Sequence, residues 1–291
     1  METDRLRLVL LIDMAARRLA SAGVESSRLE AQILMAASAG ATREAIITGT
    51  SDLSQEILTK FDAMIARREN REPLAYIVGD KEFYSLDFEV SPAVLIPRPE
   101  TELVVAAALE AIEPMREPRV LDIGTGSGAI AIAIAVNAHA ARVTAIDISD
   151  DALAVAARNA ERHRVASRIA FRRADCFDVP TGESPLGEFD LIVSNPPYVD
   201  DDAFAGLEPE IRNYEPRVAL AAGPDGLDVF RRIAAGASGH LRSGSELIVE
   251  VGAGQAFAVA ELFELAGLHV VTVLNDLAGH PRVVRARAGG G

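Results

Sequence analysis

Cysteine is almost absent: Cys176 stands alone among 291 residues. A single thiol excludes an internal disulfide framework and a cysteine-based zinc site. The histidines, at 139, 163, 240, 269 and 280, are scattered without paired ligand spacing, so no metal is expected. Basic charge is in deficit: 29 Lys and Arg stand against 43 Asp and Glu, a formal net charge of −14. That balance argues against a general nucleic-acid binder, which would carry a basic face. Long uniform apolar runs are missing, and "AIAIAIAVNAHAA" is too short to span a bilayer, so it reads as a buried helix. The opening "METDRLRLVLLIDMAARRL" has Glu2, Asp4 and Asp13 in or around its apolar run, unlike a secretory signal. Repeats and low-complexity tracts are lacking apart from a glycine-rich tail. What remains is an ordinary globular composition, 49% apolar and 25% charged, long enough for one large domain or two smaller ones. The expected setting is a reducing cytoplasm, without membrane attachment.

Residues 1 to about 70 read as helices only. Ser27 with Glu30 three residues on predicts a capping box, and Gly40 is placed to stop that helix. Ser54 predicts the N-cap of a second helix, with Ile57, Leu58, Phe61, Met64 and Ile65 on one face. This stretch holds no catalytic constellation. Further on, Gly79-Asp80 reads as a turn, and Phe88 and Val90 alternate with Asp87 and Glu89 as in a strand. A hairpin linking two domains is expected there. Pro99 suits a first helical position, and Glu100 and Glu102 suit the helix dipole behind it.

From Arg119 onward, strand and helix patterns alternate. Strands are predicted at 119–123, 142–146, 168–173, 189–194, 245–251, 269–275 and 281–287, and helices near 128–138, 150–163, 225–241 and 254–267. Such alternation implies a mostly parallel α/β sheet with helices on both faces. Only "DLAGH" separates the last two strands, which predicts an antiparallel pair at the edge.

"RVLDIGTGSGAIAIAIA" is a strand, a glycine-rich loop and a helix. Gly124, Gly126 and Gly128 let the backbone turn tightly and approach a ligand. The spacing also satisfies a loose dinucleotide fingerprint, so the cofactor stays open at this point. Asp147 ends the next strand about twenty residues on, where a carboxylate can hold ribose hydroxyls. Its plain alternative is a helix-capping carboxylate, but Ser149, Asp150 and Asp151 already cover that role. Asp175, in "RADCFD", sits where an adenine amino group finds an acceptor, with Cys176 and Phe177 as a candidate wall. A surface aspartate and a core phenylalanine are the bland readings.

The fourth strand runs into Asn195-Pro196-Pro197-Tyr198. In open parallel sheets, ligands bind beyond the carboxyl ends of the strands at the switch point, so Asn195 should face the glycine loop. A residue before proline stays extended and proline fixes φ, which makes a stiff ledge. The ledge offers two acceptors, the Asn195 side-chain oxygen and the Pro196 carbonyl. Two converging acceptors suit a planar –NH₂ group, and Tyr198 adds a flat face. Transfer onto nitrogen fits; hydride transfer, which needs a carbon centre, does not.

Taken in order, "DIGTGSG", "AIDIS", "RADCFD" and "SNPPYVD" resemble the S-adenosylmethionine-dependent methyltransferases of the seven-stranded class. "REPLAYIVGDKEFYSLDFEVSPAVLIPRPETE" and "EPEIRNYEPRVALAAGPDGLDVFRRI" are similar to the peptide chain release factor N5-glutamine methyltransferases. The resemblance spans about 71–287 and implies a Rossmann-like seven-stranded sheet with its last strand antiparallel, behind a small all-helical domain. It implies three regions: a helical substrate-recognition domain at 1–72, a β-hairpin linker at 73–98 and the methyltransferase domain at 99–291. S-adenosyl-L-methionine would be the cofactor and S-adenosyl-L-homocysteine the product. Gly124, Thr125, Gly126, Ser127 and Gly128 would wrap its methionine part, with Asp147 on the ribose and Asp175, Cys176 and Asn195 also in contact. Some members carry tryptophan where this chain has Cys176. Asn195 and Pro196 would be catalytic, and the ledge through Pro197 and Tyr198 would hold the substrate. That substrate would be the Gly-Gly-Gln glutamine of class I release factors, met by a monomer without direct nucleic-acid contact. DNA or RNA amino-group methylation is the alternative, since the ledge motif is shared. Arg98 and Glu100 are candidates to close over the pocket or simply to form a cap and a surface ion pair. Glu250 is a candidate to face the site from a strand end.

Overall fold

Helix or strand is decided locally by what flanks each apolar run. "AIAIAIA" alternates like a strand, yet Gly128 stands ahead of it in a left-handed conformation (φ 81°) and it winds into a helix. Because it is apolar all round from Ala129 to Ala135, that stretch of the helix is buried on every side. The computed structural model describes residues 2–48 and 53–289; the end of the glycine tail lies outside them.

Two compact units divide the chain. One comprises residues 1–79 with 208–214, the other 80–207 with 215–291. The first holds α1 (Glu2–Ser21), α2 (Ser27–Ala39), α3 (Arg43–Thr48), α4 (Gln55–Glu69) and α5 (Leu74–Val78). Leu19, Leu34, Met35, Ile46, Phe61 and Ile65 form its core. Ser54 caps α4, accepting from the Ile57 amide at 3.3 Å, and Gly40 closes α2 with φ 60°, as expected. The capping box at Ser27 is not made. Ser26 is the N-cap, without a side-chain bond, and Glu30 instead takes the Nε–H of buried Arg68 at 2.6 Å. A charged hydrogen bond to a desolvated guanidinium outweighs a helix-end amide.

The second unit begins with the hairpin of β1 (Asp80–Phe83) and β2 (Leu86–Glu89). Its turn is Tyr84-Ser85, both with positive φ (51° and 59°), and not Gly79-Asp80. Gly79 is spent elsewhere, as the left-handed cap of α5. After the hairpin come α6 (Glu102–Ile112), β3 (Arg119–Ile123), α7 (Ala129–Asn137), β4 (Arg142–Asp147), α8 (Asp150–Arg162), β5 (Ile169–Arg173) and β6 (Phe189–Ser194). Two short helices follow, α9 (Asp201–Ala205) and α10 (Pro209–Tyr214), the latter belonging to the first unit. The chain ends with α11 (Asp228–Ala237), β7 (Leu241–Glu250), α12 (Ala256–Leu265), β8 (Leu268–Asn275) and β9 (Pro281–Ala288).

Seven strands form one sheet in the order β5-β4-β3-β6-β7-β9-β8. β3 to β7 pair in parallel, while β9 runs antiparallel to both β7 and β8. The last two strands pair as expected, with β9 inserted inside and β8 at the edge. One core layer centres on α6 and α7, the other on α11 and α12. The order reverses between β3 and β6, which opens a crevice at their carboxyl ends. Ser194 Oγ donates to the Ile123 carbonyl at 2.7 Å and locks those two ends together.

Candidate active site

A cavity of about 530 Å³ lies at that switch point, entirely within the second unit. Gly124 and Gly126 line it from the end of β3, Asp147 from β4, Asp175 and Cys176 beyond β5, and Asn195, Pro196 and Pro197 from β6. The opposite wall is Ala93–Leu95 together with Pro216–Ala219 and Ala221. Val199 holds that second wall: its N–H donates to the Leu220 carbonyl and its carbonyl accepts from the Ala222 N–H, each at 2.9 Å. The volume suits a small-molecule ligand, for which such clefts run from about 300 to 1,000 Å³.

The glycine loop is pinned from several directions. The Thr125 amide donates to the Ile146 carbonyl at 2.9 Å, and its hydroxyl donates to Asp122 Oδ2 at 2.6 Å. Thr125 and Ser127 are buried and do not line the cavity; Gly128 does not either. Gly128 is needed for packing, since a Cβ there would stand 3.1 Å from Ala156 Cβ and 2.8 Å from Ile132 Cδ1. Asn159, fully buried on α8, bridges the loop to the hairpin. Its Nδ2 donates to the carbonyls of Ser127 and Glu89, and its Oδ1 accepts from the Glu89 amide.

Two carboxyls sit under the loop. Asp147 Oδ2 accepts from the Gly126 amide at 2.9 Å and Oδ1 from the Ser149 amide at 3.0 Å. Burial still pushes it above the usual carboxylate range. The helix cap at α8 is Ser149, which accepts from the Ala152 amide. Asp122, fully buried, is pushed up to about 7 by desolvation, against the bond from Thr125 and with Asp147 adding repulsion. Among the described residues its Oδ1 has no well-aligned hydrogen-bond partner, and the Ala131 amide offsets the burial only in part.

Beyond β5, Asp175 is half-exposed and paired with Arg232 at 2.7 Å. Cys176 takes a left-handed φ of 54°, and burial raises its thiol to about 11. Phe177 does not line the cavity. It stacks on His240 with ring centres 4.7 Å apart, over Gly236, where any Cβ would strike the ring.

At the end of β6, Asn195 Nδ2 donates to Thr101 Oγ1 at 3.0 Å. Thr101 donates in turn to Glu250 Oε2 at 2.5 Å, and the Tyr198 hydroxyl donates to Glu250 Oε1 at 3.3 Å. Tyr198 therefore turns inward, does not line the cavity, and is raised by burial beside Glu250. Burial likewise lifts the Glu250 carboxyl to about 7. Arg98 pairs with the buried carboxylate of Glu215, which also accepts from the Ile96 amide at 3.2 Å. Neither Arg98 nor Glu100 lines the cavity.

Glycine loop, acidic strand ends and amide ledge thus share one crevice, and full-length relatives share the whole chain. A release factor glutamine methyltransferase of Cereibacter sphaeroides is 44% identical over 275 residues, covering 94% of this chain and 95% of its own. That of Geobacter sulfurreducens is 42% identical over 285 residues, with 96% of each covered. The chain belongs to the release factor glutamine methyltransferase family. Residues 11–79 match the model described as the PrmC N-terminal domain, and 116–235 match a methyltransferase domain. Among solved structures, the hMettl16 catalytic domain aligns at a TM-score of 0.56 with 18% identity, over 77% of this chain and 81% of that one, a likeness of fold alone.

In this methyltransferase, sequence patterns pointed to the lining residues but missed their supports. Thr101 lies inside "IPRPETE" with nothing to mark its hydroxyl, and Asn159 is one polar residue in an alanine-rich helix. Asp122 had a visible signal, a carboxylate inside an otherwise apolar strand. The wall at 216–221 had none, because its place depends on a loop folding back.

Proposed function

We propose that this enzyme transfers a methyl group from S-adenosyl-L-methionine to the side-chain nitrogen (N5) of the glutamine in the Gly-Gly-Gln motif of class I release factors. The observation that carries the reading is the Asn195-Pro196 ledge opening on the same cavity as Gly124, Gly126 and Asp147. The lining fits the cofactor. Gly124 and Gly126 have positive φ and open space where a Cβ would stand, so backbone can meet a ligand closely. Asp147, which lines the cavity at the end of β4, suits a ligand with hydroxyls.

Gly124, Gly126 and the backbone through Thr125, Ser127 and Gly128 would hold the methionine part, Asp147 the ribose, and Asp175 with Cys176 the adenine. Asn195 would touch both the cofactor and the substrate. When bound, the cofactor supplies a sulfonium methyl as electrophile. An amide nitrogen is a poor nucleophile because its lone pair is shared with the carbonyl. Accepting its two N–H groups at Asn195 Oδ1 and the Pro196 carbonyl returns electron density to nitrogen. Fixing the amide there removes much of the cost of alignment, worth about 7–11 kcal/mol in well-oriented reactions. Acceptors held in advance stabilise the growing positive charge on nitrogen. Pro197 stiffens the ledge and Tyr198 braces it from below. The surplus proton leaves to water. The unit holding residues 1–79 is the proposed recognition domain for the release factor, in the cytoplasm.

Labelled cofactor should mark a release factor and fail to mark one whose loop glutamine is replaced. Label on DNA or RNA with release factors untouched would overturn the reading. Asn195→Ala should lower methylation by roughly 10²–10³-fold, the range for losing one electrostatic contact to a transition state, while the cofactor still binds, its loss of affinity small beside the loss of rate. Asp147→Ala should weaken cofactor binding in calorimetry; unchanged affinity would remove its ribose role.

A further inference from the structure

We propose that Thr101 and Glu250 are positioning residues that decide which end of the Asn195 carboxamide is offered to the substrate. The inference rests on Asn195 being the amide acceptor. An asparagine amide is nearly symmetric in shape, and its two ends differ only in donating or accepting. Packing alone therefore cannot choose between them; a neighbour's hydrogen bond must.

The neighbour is Thr101, 4% exposed, just ahead of α6. A hydroxyl has one proton, and here it goes to Glu250 Oε2 at 2.5 Å. The Thr101 oxygen is left able only to accept, so Asn195 must present its –NH₂, as it does at 3.0 Å. Oδ1 is then the end left for the cavity that Asn195 lines. Glu250 itself is 1% exposed, and its other oxygen is held by the Tyr198 hydroxyl.

Were Glu250 neutral, Thr101 could donate to Asn195 Oδ1, and the amide would turn its –NH₂ outward. A donor would then face the donors of the incoming glutamine. The pairing would fail and leave desolvated N–H groups unmatched, a costly outcome in a closed site.

Charges around Glu250 set when this happens. Glu100, beside Thr101, repels it, and Arg282 on β9 attracts it. Arg98 lies within electrostatic reach of Tyr198. Burial dominates and lifts the carboxyl to about 7. The form that holds the productive amide is the ionised one, because it takes the Thr101 proton in a hydrogen bond. Activity should fall on the acid side of that value.

The test uses the full chain with its release-factor substrate between pH 5.5 and 8.5. Wild-type kcat/KM should drop about tenfold per pH unit below a midpoint near 7, since one proton is involved. The side-chain NH₂ resonances of Asn195 should move with the same midpoint. Thr101→Val should lower kcat/KM at least tenfold with calorimetric cofactor affinity within twofold, and Thr101→Ser should restore both rate and acid limb. Glu250→Gln should abolish the limb. A limb that survives in Glu250→Gln assigns the titration elsewhere, Asp122 being the other carboxyl near 7, and overturns the proposal. A Thr101→Val enzyme as active as wild type overturns it too. If Thr101→Val does not fold, the wild-type Asn195 resonances and the serine variant still decide, and resonances that ignore pH are fatal. Asn195→Ala separates the two levels. Full activity there removes the amide-acceptor reading itself, whereas an inactive Asn195→Ala beside unaffected Thr101 and Glu250 variants sinks this inference alone.

Discussion

Asp122 ends up fully buried near the end of β3, with one oxygen on Thr125 and the other, among the described residues, without a well-aligned partner. Desolvation raises it to about 7. A carboxyl raised by folding contributes its full stability below its unfolded value near 4, and that contribution is lost as pH rises through about 7. Asp122→Asn should therefore leave stability unchanged near pH 4. At pH 8 it should add roughly 2–4 kcal/mol, because a charge is no longer buried without full compensation. Urea unfolding at the two pH values measures the difference. Equal effects at both would mean that Asp122 is already ionised at low cost.

At the scale of elements, α10 shows how one short helix is held by residues distant in the sequence. Glu210 receives Arg68 Nη1 at 3.0 Å and Arg71 Nη2 at 2.7 Å. The Tyr214 hydroxyl donates to the Asn70 carbonyl at 2.7 Å. Burial works to raise the Glu210 carboxyl, but the bonds from Arg71 and Arg68 prevail and hold it below the usual range. Six residues cannot sustain a helix by propensity, so these contacts must fix it. Glu210→Gln leaves Arg68, itself 6% exposed, short of one counter-charge. Breaking such a buried pair costs about 3 kcal/mol. Amide hydrogen exchange across 209–214 should quicken by ten- to a hundredfold; no change would show that Tyr214 alone suffices. The sequence reading placed helices near 128–138, 150–163, 225–241 and 254–267 and assigned no element here. It also put the hairpin turn at Gly79-Asp80, because a glycine that caps a helix and a glycine that opens a turn look the same in sequence. Tyr84-Ser85 adopts the turn although neither residue favours positive φ, and the Tyr84 amide is held by Glu102 Oε1 at 2.8 Å.

The whole molecule consists of two units with separate cores. Chains of this kind commonly depart from a single all-or-none transition. Scanning calorimetry should give a van't Hoff enthalpy below the calorimetric one, or two resolved peaks. A ratio of one would mean that the units unfold together. The chain leaves the second unit after Leu207 and returns at Glu215. The stretch following the amide ledge is therefore shared, in sequence, between catalytic sheet and helical unit. Among the described residues no helix is long and apolar enough to cross a membrane.

What the amino-acid order determined by itself was the alternation of strand and helix, the sheet class and the rim of the cavity. Period, glycine spacing and the Pro-Pro ledge are local properties, set by backbone sterics and side-chain burial within a few residues. Tertiary structure alone decided the rest: Thr101, Glu250 and Asn195 meeting across 149 residues of chain, Asn159 bridging hairpin and loop, and 216–221 closing the cavity. Those contacts depend on where separate elements come to rest. An amide's orientation depends further on whose proton a distant hydroxyl has already given away.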